Sequence, residues 1–551
     1  MKKFLKSSLL LLMAAAVLIG CTACTGQSGQ DPMDMIPEST GGKDVARAKA
    51  ADNVFSLNVN TKYSLNPLIA TDHSNQLICS LVYENMLEVD NDFEAIPAVI
   101  TEWKCSEDAK LWTFTVGEGH TFHDGSPVTP KDLRYSMDRA ISSDRYSGRF
   151  SSIQGTSHTE DSLIIALGVP DTQFYKLMNL PIMKAGSFND TPPIGSGPYT
   201  FNEDMTELVK WEDYQTKKLP VDKIYLKEYP EAESKIIAFE DSVLDLVIND
   251  PSSYTSLGFA STNEVHKYAT TNLHFVAFNE KSPLGAMNSF RVAMQYAFDR
   301  DYFVELLHGN AVASAVPMYP SCKDYPQQMN KDLRYDLEKC RNIIESIGFK
   351  DYDEDGYLEM MESNPDDIQL TFLVCSGSTA KDGVVNRFAS DMDSLGIKVL
   401  VEELPWENYM KALQDGYIEK GNKDKGIKKK EFDMYYGEVK LRNNFDLTEL
   451  LQVRPEPKKK DEPLITTNIN FTHSKDPAFE EYIKSYLAAG DLARADAYRK
   501  LCEYISLSTG SLISIGFEKH QIISHRGVVK GIDANAGNPL YNFENWEINL
   551  D

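Results

Sequence analysis

The stretch LWTFTVGEGHTFHDGSPVTPKDLRYSMDRAI, residues 111–141, contains a strand pattern and a helix pattern within one short run. Residues 112–116 alternate large apolar side chains with threonine, and this period of two predicts a strand with one buried face. Further on, Thr129 stands where a helix cap is needed and Pro130 follows at the first helical position. Apolar residues then recur at helical spacing, so the stretch predicts a strand followed by a helix.

The same mixture of elements continues along the chain. DLEKCRNIIESIG, residues 336–348, has an aspartate cap, an apolar stripe and a final glycine, which together predict a helix. GIKVLVEEL, residues 396–404, predicts a strand. Strands and helices mixed throughout predict the α/β class. The 551 residues, 42% of them hydrophobic, are enough for a large core and predict two to four domains.

Charge and cysteine content exclude several classes of protein. The formal net charge of −26 argues against a general nucleic-acid-binding protein and favours solubility. Eight cysteines over this length are sparse and irregularly spaced, which is not the pattern of a disulfide framework. Two lysine-rich segments, 420–431 and 454–463, interrupt the pattern of elements. They lack interleaved aromatic residues, which favours solvated loop insertions over basic patches for an anionic partner.

The first twenty residues have the layout of a secretory signal peptide. Lys2, Lys3 and Lys6 form a positive start, and the apolar run over 7–19 is shorter than the ~20 residues that span a bilayer. We therefore expect residues 1–20 to be removed on export.

The run ends at Leu18-Ile19-Gly20-Cys21, which resembles the bacterial lipobox. In proteins with that motif a diacylglycerol is attached to the cysteine thiol, and the chain is cut just before it. The alternative is an ordinary signal cut nearby, with Cys21 discarded. Residues 21–50 are small and polar and predict a flexible tether. We expect a mature protein that is exported, soluble and lipid-anchored to the outer face of the cytoplasmic membrane.

No enzyme motif stands out in the sequence. It lacks H-E-x-x-H, G-x-S-x-G, the phosphate-binding loop and the Rossmann glycine pattern. The protein is therefore predicted to lack catalytic residues, to need no cofactor and not to hydrolyse ATP through a phosphate-binding loop.

One local motif matches a metal-binding loop. DYDEDGYLEMME, residues 351–362, fits the calcium loop D-x-D-x-D-G-x5-E. A turn and a strand follow it where an EF-hand would have a second helix, so it is predicted to be a lone structural site. The alternative is an acidic, solvated turn without an ion. The predicted calcium ligands are the side chains of Asp351, Asp353, Asp355 and Glu362 and the backbone carbonyl of Tyr357.

Several longer stretches carry a family resemblance. PIGSGPYTF at 193–201, FNEKSPLGAMNSFRVAMQYAFDRDYFVELLHG at 278–309 and NPLYNFENWEINL at 538–550 appear in the right order, together with most of 65–140. These stretches resemble the bacterial extracellular solute-binding proteins of family 5. The family comprises the oligopeptide-, dipeptide- and nickel-binding components of ABC importers. The resemblance extends over nearly all of 50–551, apart from the lysine-rich insertions.

The resemblance implies a class II periplasmic-binding-protein-like fold. Two α/β lobes would face each other across a cleft, with two chain crossings as a hinge. Its partners would be an ABC permease and an ATPase, and the receptor itself would be a monomer. The implied domains are domain I at 51–92, 195–279 and 511–551, an extra domain II at 93–194, and the second lobe, domain III, at 280–510.

The ligand is less determined. In peptide-binding members an aspartate after a strand of the second lobe pairs with the peptide's amino terminus, and the matching stretch here is 432–451. Glu438 or Asp446 could replace that aspartate and bind a peptide. Alternatively, Lys440 and Arg442 face the cleft and bind an anionic group. A third interpretation is a self-neutralising ion pair among Glu438, Lys440 and Arg442, which strand alternation puts on one side, with no role in binding.

Four aromatic residues complete the predicted ligand wall, because aromatic rings stack on ligand side chains without reading them. They are Trp406, Tyr435, Tyr436 and Tyr199. The favoured function is a lipid-anchored importer receptor for peptides or peptide-like solutes. The alternatives are a receptor for an anionic solute or metal complex, an envelope sensor or chaperone, and, least favoured, a tethered hydrolase.

Overall fold

A computed structural model describes most of the chain beyond the predicted tether. The described residues are 53–214, 218–252, 263–422, 426–453 and 469–550. The predicted signal peptide, Cys21 and the tether lie outside them, as does the lysine-rich segment 454–463.

Twenty-three strands and twelve α-helices occur in this described part. The strands are β1 (Ser56–Val59), β2 (Leu87–Val89), β3 (Ala95–Pro97), β4 (Ile100–Cys105), β5 (Leu111–Val116), β6 (Ile153–His158), β7 (Ser162–Leu167), β8 (Tyr199–Phe201), β9 (Glu207–Lys210), β10 (Lys223–Glu228), β11 (Leu246–Asn249), β12 (Asn263–Phe278), β13 (Ala311–Ala313), β14 (Glu359–Met361), β15 (Asn364–Asp367), β16 (Gln369–Cys375), β17 (Lys398–Leu404), β18 (Tyr417–Asn422), β19 (Gly426–Glu431), β20 (Met434–Lys440), β21 (Leu512–His525), β22 (Val529–Lys530) and β23 (Glu547–Ile548). The helices are α1 (His73–Val82), α2 (Pro130–Ile141), α3 (Ala232–Glu240), α4 (Asn288–Met294), α5 (Arg300–Leu306), α6 (Gln327–Asp332), α7 (Leu337–Ser346), α8 (Thr379–Ser394), α9 (Trp406–Asp415), α10 (Thr448–Leu451), α11 (Ala478–Ala488) and α12 (Asp491–Glu503).

The local predictions from sequence are confirmed. β5 buries Trp112 and Phe114 on one face, as the period of two requires. α2 begins after Thr129 with Pro130 in its first turn. α7 begins after Asp336, whose side chain accepts a hydrogen bond from the Lys339 N–H. α7 starts at its predicted cap because the Asp336 side chain satisfies a backbone N–H that the first turn leaves unpaired.

Three sheets organise the described residues. A four-stranded sheet has the order β1-β10-β9-β8, and a second has the order β4-β5-β7-β6. The largest sheet has seven strands in the order β11-β21-β12-β20-β16-β17, with β13 paired to β21. β20, β16 and β17 are parallel neighbours, whereas β12 and β21 are antiparallel. Parallel and antiparallel pairs in one sheet agree with the mixed α/β class.

Two hydrophobic cores account for most of the buried apolar side chains. The first core draws on both four-stranded sheets, α1, α2 and the C-terminal segment around Trp546. The second core lies around β12, β16 and β20 and the helices between 288 and 505. The predicted domain I and extra domain both contribute to the first core, and the predicted second lobe supplies most of the second.

β12 and β21 run through both cores. Tyr268 and Ile522 belong to the first core, whereas Leu273 and Phe517 belong to the second. Between the two cores the ladder is irregular, because the three residues 270–272 of β12 stand opposite Glu518 alone. Such a bulge bends a strand and redirects its side chains. The two long strands are therefore the place where the chain passes between the cores.

Two further observations concern cysteines and membrane spans. The six cysteines in the described ranges are all unpaired. Within the same ranges, no helix has the length and apolar character needed to span a bilayer.

Candidate functional site

A cavity of about 410 Å³ lies where the two cores meet. Its wall comes from α1, the residues after α2 and β11, the bulge of β12, the end of β20, His520 of β21 and the segment 536–539. Its volume lies within the range of ~300–1,000 Å³ that is typical of small-molecule sites. Because both cores contribute to the wall, the cavity forms only when the two are brought together.

The bulge of β12 supplies polar groups to this cavity. Thr270, Thr271 and Asn272 lie in the wall, and the Thr270 hydroxyl donates to the Glu518 carbonyl at 2.7 Å. Residue 272 is also paired with Lys440 at the end of β20. The irregular ladder therefore places the two threonine hydroxyls and the Asn272 side-chain amide beside the ammonium group of Lys440.

Three cations line the cavity. Arg145 donates from Nη1 to the carbonyls of Pro67 and Ala70 at 2.9 and 3.0 Å, and Arg149 donates to the Asn179 carbonyl at 3.0 Å. Both guanidinium groups lie about 5.0 Å from the centroid of the Tyr146 ring. Neutral acceptors and a ring face therefore fix the two arginines, and no carboxylate among the described residues pairs with them.

Lys440 is the third cation. Its side chain is open to the cavity, yet protein surrounds the ammonium closely. This desolvation, together with the charges of Arg149 and Arg145, lowers the pKa of Lys440 to about 8. Desolvation also lowers the pKa of Arg149, and Arg145 and Arg442 add to the effect. Within the described ranges, no carboxylate lies within 4.0 Å of the charged nitrogens of these three residues.

Asp250 is the acidic group in the wall. Its Oδ1 accepts hydrogen bonds from the backbone N–H and the hydroxyl of Ser252, both at 2.8 Å. His73 also lines the cavity, and the charged groups around it shift its pKa. Desolvation, His520 and Lys440 lower the pKa of His73, while Asp72 and Asp250 act in the opposite direction. The cavity therefore contains one acidic side chain and an excess of positive charge.

A metal-binding geometry joins two residues of the wall, Asp250 and His520, to Glu518, which is buried behind the wall. One carboxylate oxygen each of Asp250 and Glu518 and one ring nitrogen of His520 lie within 4.8 Å of one another. Carboxylate and imidazole ligands suit several divalent metals. These three residues could contact a metal that arrives as part of a ligand.

Behind the wall lies a buried charged network. Glu518 accepts from His520 at 3.1 Å and from His274 at 3.4 Å, and the Asn272 amide also donates to it. Burial alone would raise the pKa of Glu518, but the two histidines outweigh it and hold that pKa far below its usual range. Burial would lower the pKa of His274, yet Glu518 and Glu438 outweigh it and raise that pKa. The network therefore favours a charged His274 between two carboxylates.

The charged residues predicted from 432–451 separate in the structure. Lys440 lines the cavity, whereas Glu438 pairs with Lys381 at 2.8 Å and with His274 at 3.4 Å. Arg442 pairs with Asp446 at 2.8 Å and with Glu449 at 2.7 Å. Glu438 and Asp446 thus both have cationic partners within the protein, which differ from the partners that the sequence alone suggested.

The four aromatic residues predicted for the wall lie elsewhere. Trp406 begins α9 with 64% of its surface exposed, outside the cavity. Tyr435 and Tyr436 are buried in the second core, because β20 lies between β12 and β16 with both faces covered. Tyr199 is buried in the first core, where its hydroxyl donates to the Val221 carbonyl at 2.8 Å. Of the seven predicted ligand-binding residues, Lys440 alone lines the cavity.

Sequence reasoning missed the other groups of the wall. Arg145 and Arg149 flank Tyr146 in DRYSGRF, directly after α2, and this spacing of two arginines around a tyrosine was a signal available in the sequence. His73, Asp250 and His520 are far apart along the chain and carry no local motif. Only the tertiary structure brings them together.

Comparison with known proteins agrees with this architecture. A family profile described as "Bacterial extracellular solute-binding proteins, family 5 Middle" matches residues 94–448. The oligopeptide-binding protein AppA of Bacillus subtilis (strain 168) is 21% identical over 434 residues, which are 74% of this chain and 78% of the relative. The heme-binding protein A of Haemophilus influenzae is 22% identical over 468 residues, which are 76% of this chain and 80% of the relative.

Solved structures share the fold. NikA from Brucella suis in complex with Fe(III)-EDTA has a TM-score of 0.69 at 14% identity, covering 90% of this chain and 99% of that one. AppA from Bacillus subtilis in complex with a nonapeptide has a TM-score of 0.61 at 18% identity, covering 90% and 98%. The predicted class II periplasmic-binding-protein-like fold is confirmed. Because the family profile covers well over half of the chain, the protein belongs to the bacterial extracellular solute-binding proteins of family 5.

Proposed function

We propose that this protein is the receptor of an ABC importer and that it binds short peptides or peptide-like solutes with a free carboxylate. The observation that carries the proposal is the cluster of Arg145, Arg149 and Lys440, three cations in one cavity whose charged nitrogens have no carboxylate of the described residues within 4.0 Å. Closure of the lobes would enclose the solute, and docking on a permease would release it unchanged.

The cation cluster suits a carboxylate. Arginine presents a planar fork of donors that matches a carboxylate, and charge-assisted hydrogen bonds are about twice as strong as neutral ones. A pKa of about 8 leaves Lys440 mostly protonated at pH 7, and a bound anion would raise that pKa. Ligand binding would therefore compensate a charge that the protein leaves unpaired.

Asp250 is our candidate for the amino end of the ligand. Glu438 and Asp446, the acids considered from sequence, are already paired with Lys381 and Arg442. Asp250 lines the cavity, and its Oδ1 accepts hydrogen bonds from the two neutral donors of Ser252. An ammonium group would complete its coordination. A cavity of about 410 Å³ favours a ligand of a few residues over a long peptide.

The decisive experiment starts with the ligand that the protein carries. Native mass spectrometry of protein purified without denaturation should show a small ligand, and titration calorimetry should then rank short peptides against their C-terminal amides. We expect the amide to bind at least about tenfold more weakly, because it loses the charge-assisted bonds. Equal binding of acid and amide would contradict the role of the cation cluster.

Single substitutions test whether ligand binds in the cavity or against the aromatic residues predicted from the sequence. Lys440→Met should weaken binding of the free acid about tenfold or more and of the amide much less. Asp250→Asn should act instead on peptides with a free amino end. Trp406→Ala, outside the cavity, is the matched control and should bind within about twofold of the unchanged protein. Loss of binding in Trp406→Ala alone would contradict the assignment of the site.

A metal complex with an anionic chelator is the second candidate. The geometry of Asp250, Glu518 and His520 supports it, because their ligand atoms lie within 4.8 Å of one another beside the cations. The structurally similar NikA from Brucella suis was solved in complex with Fe(III)-EDTA, and NikZ from Campylobacter jejuni in complex with Ni(L-His). Metal analysis of the ligand-bound protein distinguishes the candidates, since a peptide ligand contains no stoichiometric nickel or iron.

Membrane attachment rests on Cys21. We propose that lipid on its sulfur tethers the mature protein through residues 21–50, since two or more acyl chains make a stable anchor. Cys21→Ala should release the protein into the soluble fraction, whereas Cys24→Ala should leave it with the membrane. A protein that stays membrane-bound after Cys21→Ala would contradict the anchor.

Failure of a strain lacking the permease genes to import the ligand would separate an importer receptor from an envelope sensor or chaperone.

A further inference from the structure

An acidic loop between α7 and β14 lies outside the ligand cavity. It contains Asp351, Asp353, Asp355 and Glu359, and one carboxylate oxygen of each lies within 4.8 Å of those of the others. Oxygen ligands lie 2.3–2.6 Å from Ca²⁺, so two of them around one ion are separated by at most about 4.6–5.2 Å. The four oxygens therefore fit the first coordination sphere of one ion.

Glu359 distinguishes this loop from an ordinary acidic surface turn, because its carboxylate is buried. Its exposure is 1%, and its Oε2 accepts a hydrogen bond from the Tyr352 N–H at 2.7 Å. Its Oε1 is buried and has no hydrogen-bond partner in the described structure. Backbone bonds to Lys350 in both directions, at 3.2 and 3.0 Å, fix the residue. A buried carboxylate oxygen without a partner is costly, and a cation at the loop would satisfy it.

No protein cation takes that place among the described residues. None of the four carboxylates has a lysine or arginine nitrogen within 4.0 Å. The nearby Lys398 pairs with Asp367, and its ammonium lies 3.9 Å from the centroid of the Tyr357 ring. Asp353 and Asp355 are exposed, so an ion has an open path to the loop.

We propose that residues 351–359 bind one Ca²⁺ ion, with Glu359 as the buried ligand in place of the Glu362 predicted from the sequence pattern. The ligands are the side chains of Asp351, Asp353, Asp355 and Glu359, with the Tyr357 carbonyl in the role that the pattern gives it. An all-oxygen set of this kind suits a hard cation and not zinc or copper.

The change of ligand has a structural reason. In an EF-hand a helix follows the loop and brings its twelfth position back towards the ion. Here β14 follows, and an extended strand carries the chain about 10 Å over the three residues from Glu359 to Glu362. Glu362 is exposed in the turn between β14 and β15. Glu359, the first residue of β14, points inward and is near enough to bind.

The ion would hold the loop against the second lobe. The Leu358 N–H donates to the Gly396 carbonyl at 2.8 Å, and the Tyr357 hydroxyl donates to Asp393 at 3.3 Å. These contacts join the loop to the end of α8 and the start of β17. Calcium would therefore stabilise this corner of the second lobe without contact to the ligand cavity.

The test uses the full-length protein stripped with EGTA and titrated with CaCl₂. Calorimetry should give one ion per chain with a Kd at or below about 1 mM, the range of extracellular calcium modules. Glu359→Gln should weaken binding at least about tenfold, and Asp353→Asn should do the same from an exposed position that leaves the core intact. Glu362→Gln is the matched control and should stay within about threefold of the unchanged protein.

Three results would overturn the site. They are no binding at 10 mM CaCl₂ (roughly ten times the upper Kd), loss of binding in Glu362→Gln but not in Glu359→Gln, and binding retained in both Glu359→Gln and Asp353→Asn. Solute binding in the cavity is measured separately on the same samples, so failure of the calcium site leaves the importer proposal standing.

Discussion

At the scale of single residues, the charged side chains differ in whether the protein itself supplies their partners. Arg442, Glu438 and Asp446 all have ionic partners in the protein, whereas Lys440 has none among the described residues. A charge without a partner in an enclosed site is costly unless a ligand compensates it. Glu438 and Lys440 both lie at the end of β20, yet Glu438 is paired within the protein and Lys440 faces the cavity. The presence or absence of an ionic partner therefore separates structural charges from charges that are available to a ligand.

His274 and Glu518 lead to a pH prediction. The pKa of His274 is raised in the folded protein, so its protonation stabilises the fold fully below the unfolded pKa of ~6.5 and this stability is lost as pH rises through the folded pKa. The pKa of Glu518 is lowered, so its contribution is present above ~4.3 and lost only as pH falls through its folded value. Both contribute between about pH 4.5 and 6.5.

His274→Gln should therefore destabilise the protein more at pH 5.5 than at pH 9. We expect a loss on the order of 1–3 kcal/mol at the lower pH, measured by calorimetric unfolding at both values. His158→Gln, on the exposed strand β6, is the control and should change stability little at either pH. A His274→Gln loss that is equal at the two values would show that the histidine is neutral in the folded protein.

At the scale of elements, close backbone approach explains the Gly-Ser-Gly-Pro-Tyr turn that carries part of the family resemblance. A Cβ on Gly195 would lie 2.2 Å from the Val82 carbonyl oxygen, and one on Gly197 would lie 2.6 Å from the Leu81 carbonyl oxygen. Both carbonyls belong to the last turn of α1, which lines the cavity. The glycines therefore let the strand that follows pack directly on the end of that helix.

Gly195→Ala should destabilise the protein by roughly 1–3 kcal/mol, because the added methyl group meets backbone atoms that cannot move aside. Gly155→Ala is the matched control, since a Cβ there has no atom within 4 Å. Thermal unfolding of both variants measures the difference. Equal stability of the two variants would contradict the close approach seen at α1.

At the scale of the whole molecule, the cavity exists because the two cores are in contact. Arg442, directly after β20, donates from Nη2 to the Gly148 carbonyl at 2.6 Å, and the Thr172 N–H donates to the Leu487 carbonyl at 2.8 Å. Arg442 and Thr172 each join segments that are far apart in the chain. These contacts join the two cores without involving a ligand.

Arg442→Gln should weaken the contact between the two cores without changing the cavity wall. We expect a dissociation rate that increases several-fold with little change in association, together with a smaller ligand-induced decrease in radius of gyration by X-ray scattering. Arg387→Gln, an exposed arginine paired with Asp391 in α8, is the control and should change neither quantity. An unchanged dissociation rate in Arg442→Gln would show that this contact does not hold the lobes together.

The sequence by itself determined the α/β class, the family and the bounds of elements with strong local signals, such as β5, α2 and α7. Caps and apolar periodicity act over a few residues, so they can be read without a structure. The sequence also located Lys440 and the acidic loop. From the sequence, Lys440 was grouped with Glu438 and Arg442, because the alternation of side chains along a strand is a local pattern. The distant residues that share its cavity have no such pattern.

Tertiary structure alone decided which charges meet. One cavity collects charged side chains from distant parts of the chain, where the paired strands β12 and β21 pass between the two cores. These side chains are His73, Arg145, Asp250, Lys440 and His520. The aromatic residues of β20 went into the core because that strand has a neighbour on each side and both its faces are covered. Long-range packing sets these outcomes, and it depends on the whole chain and not on any one segment.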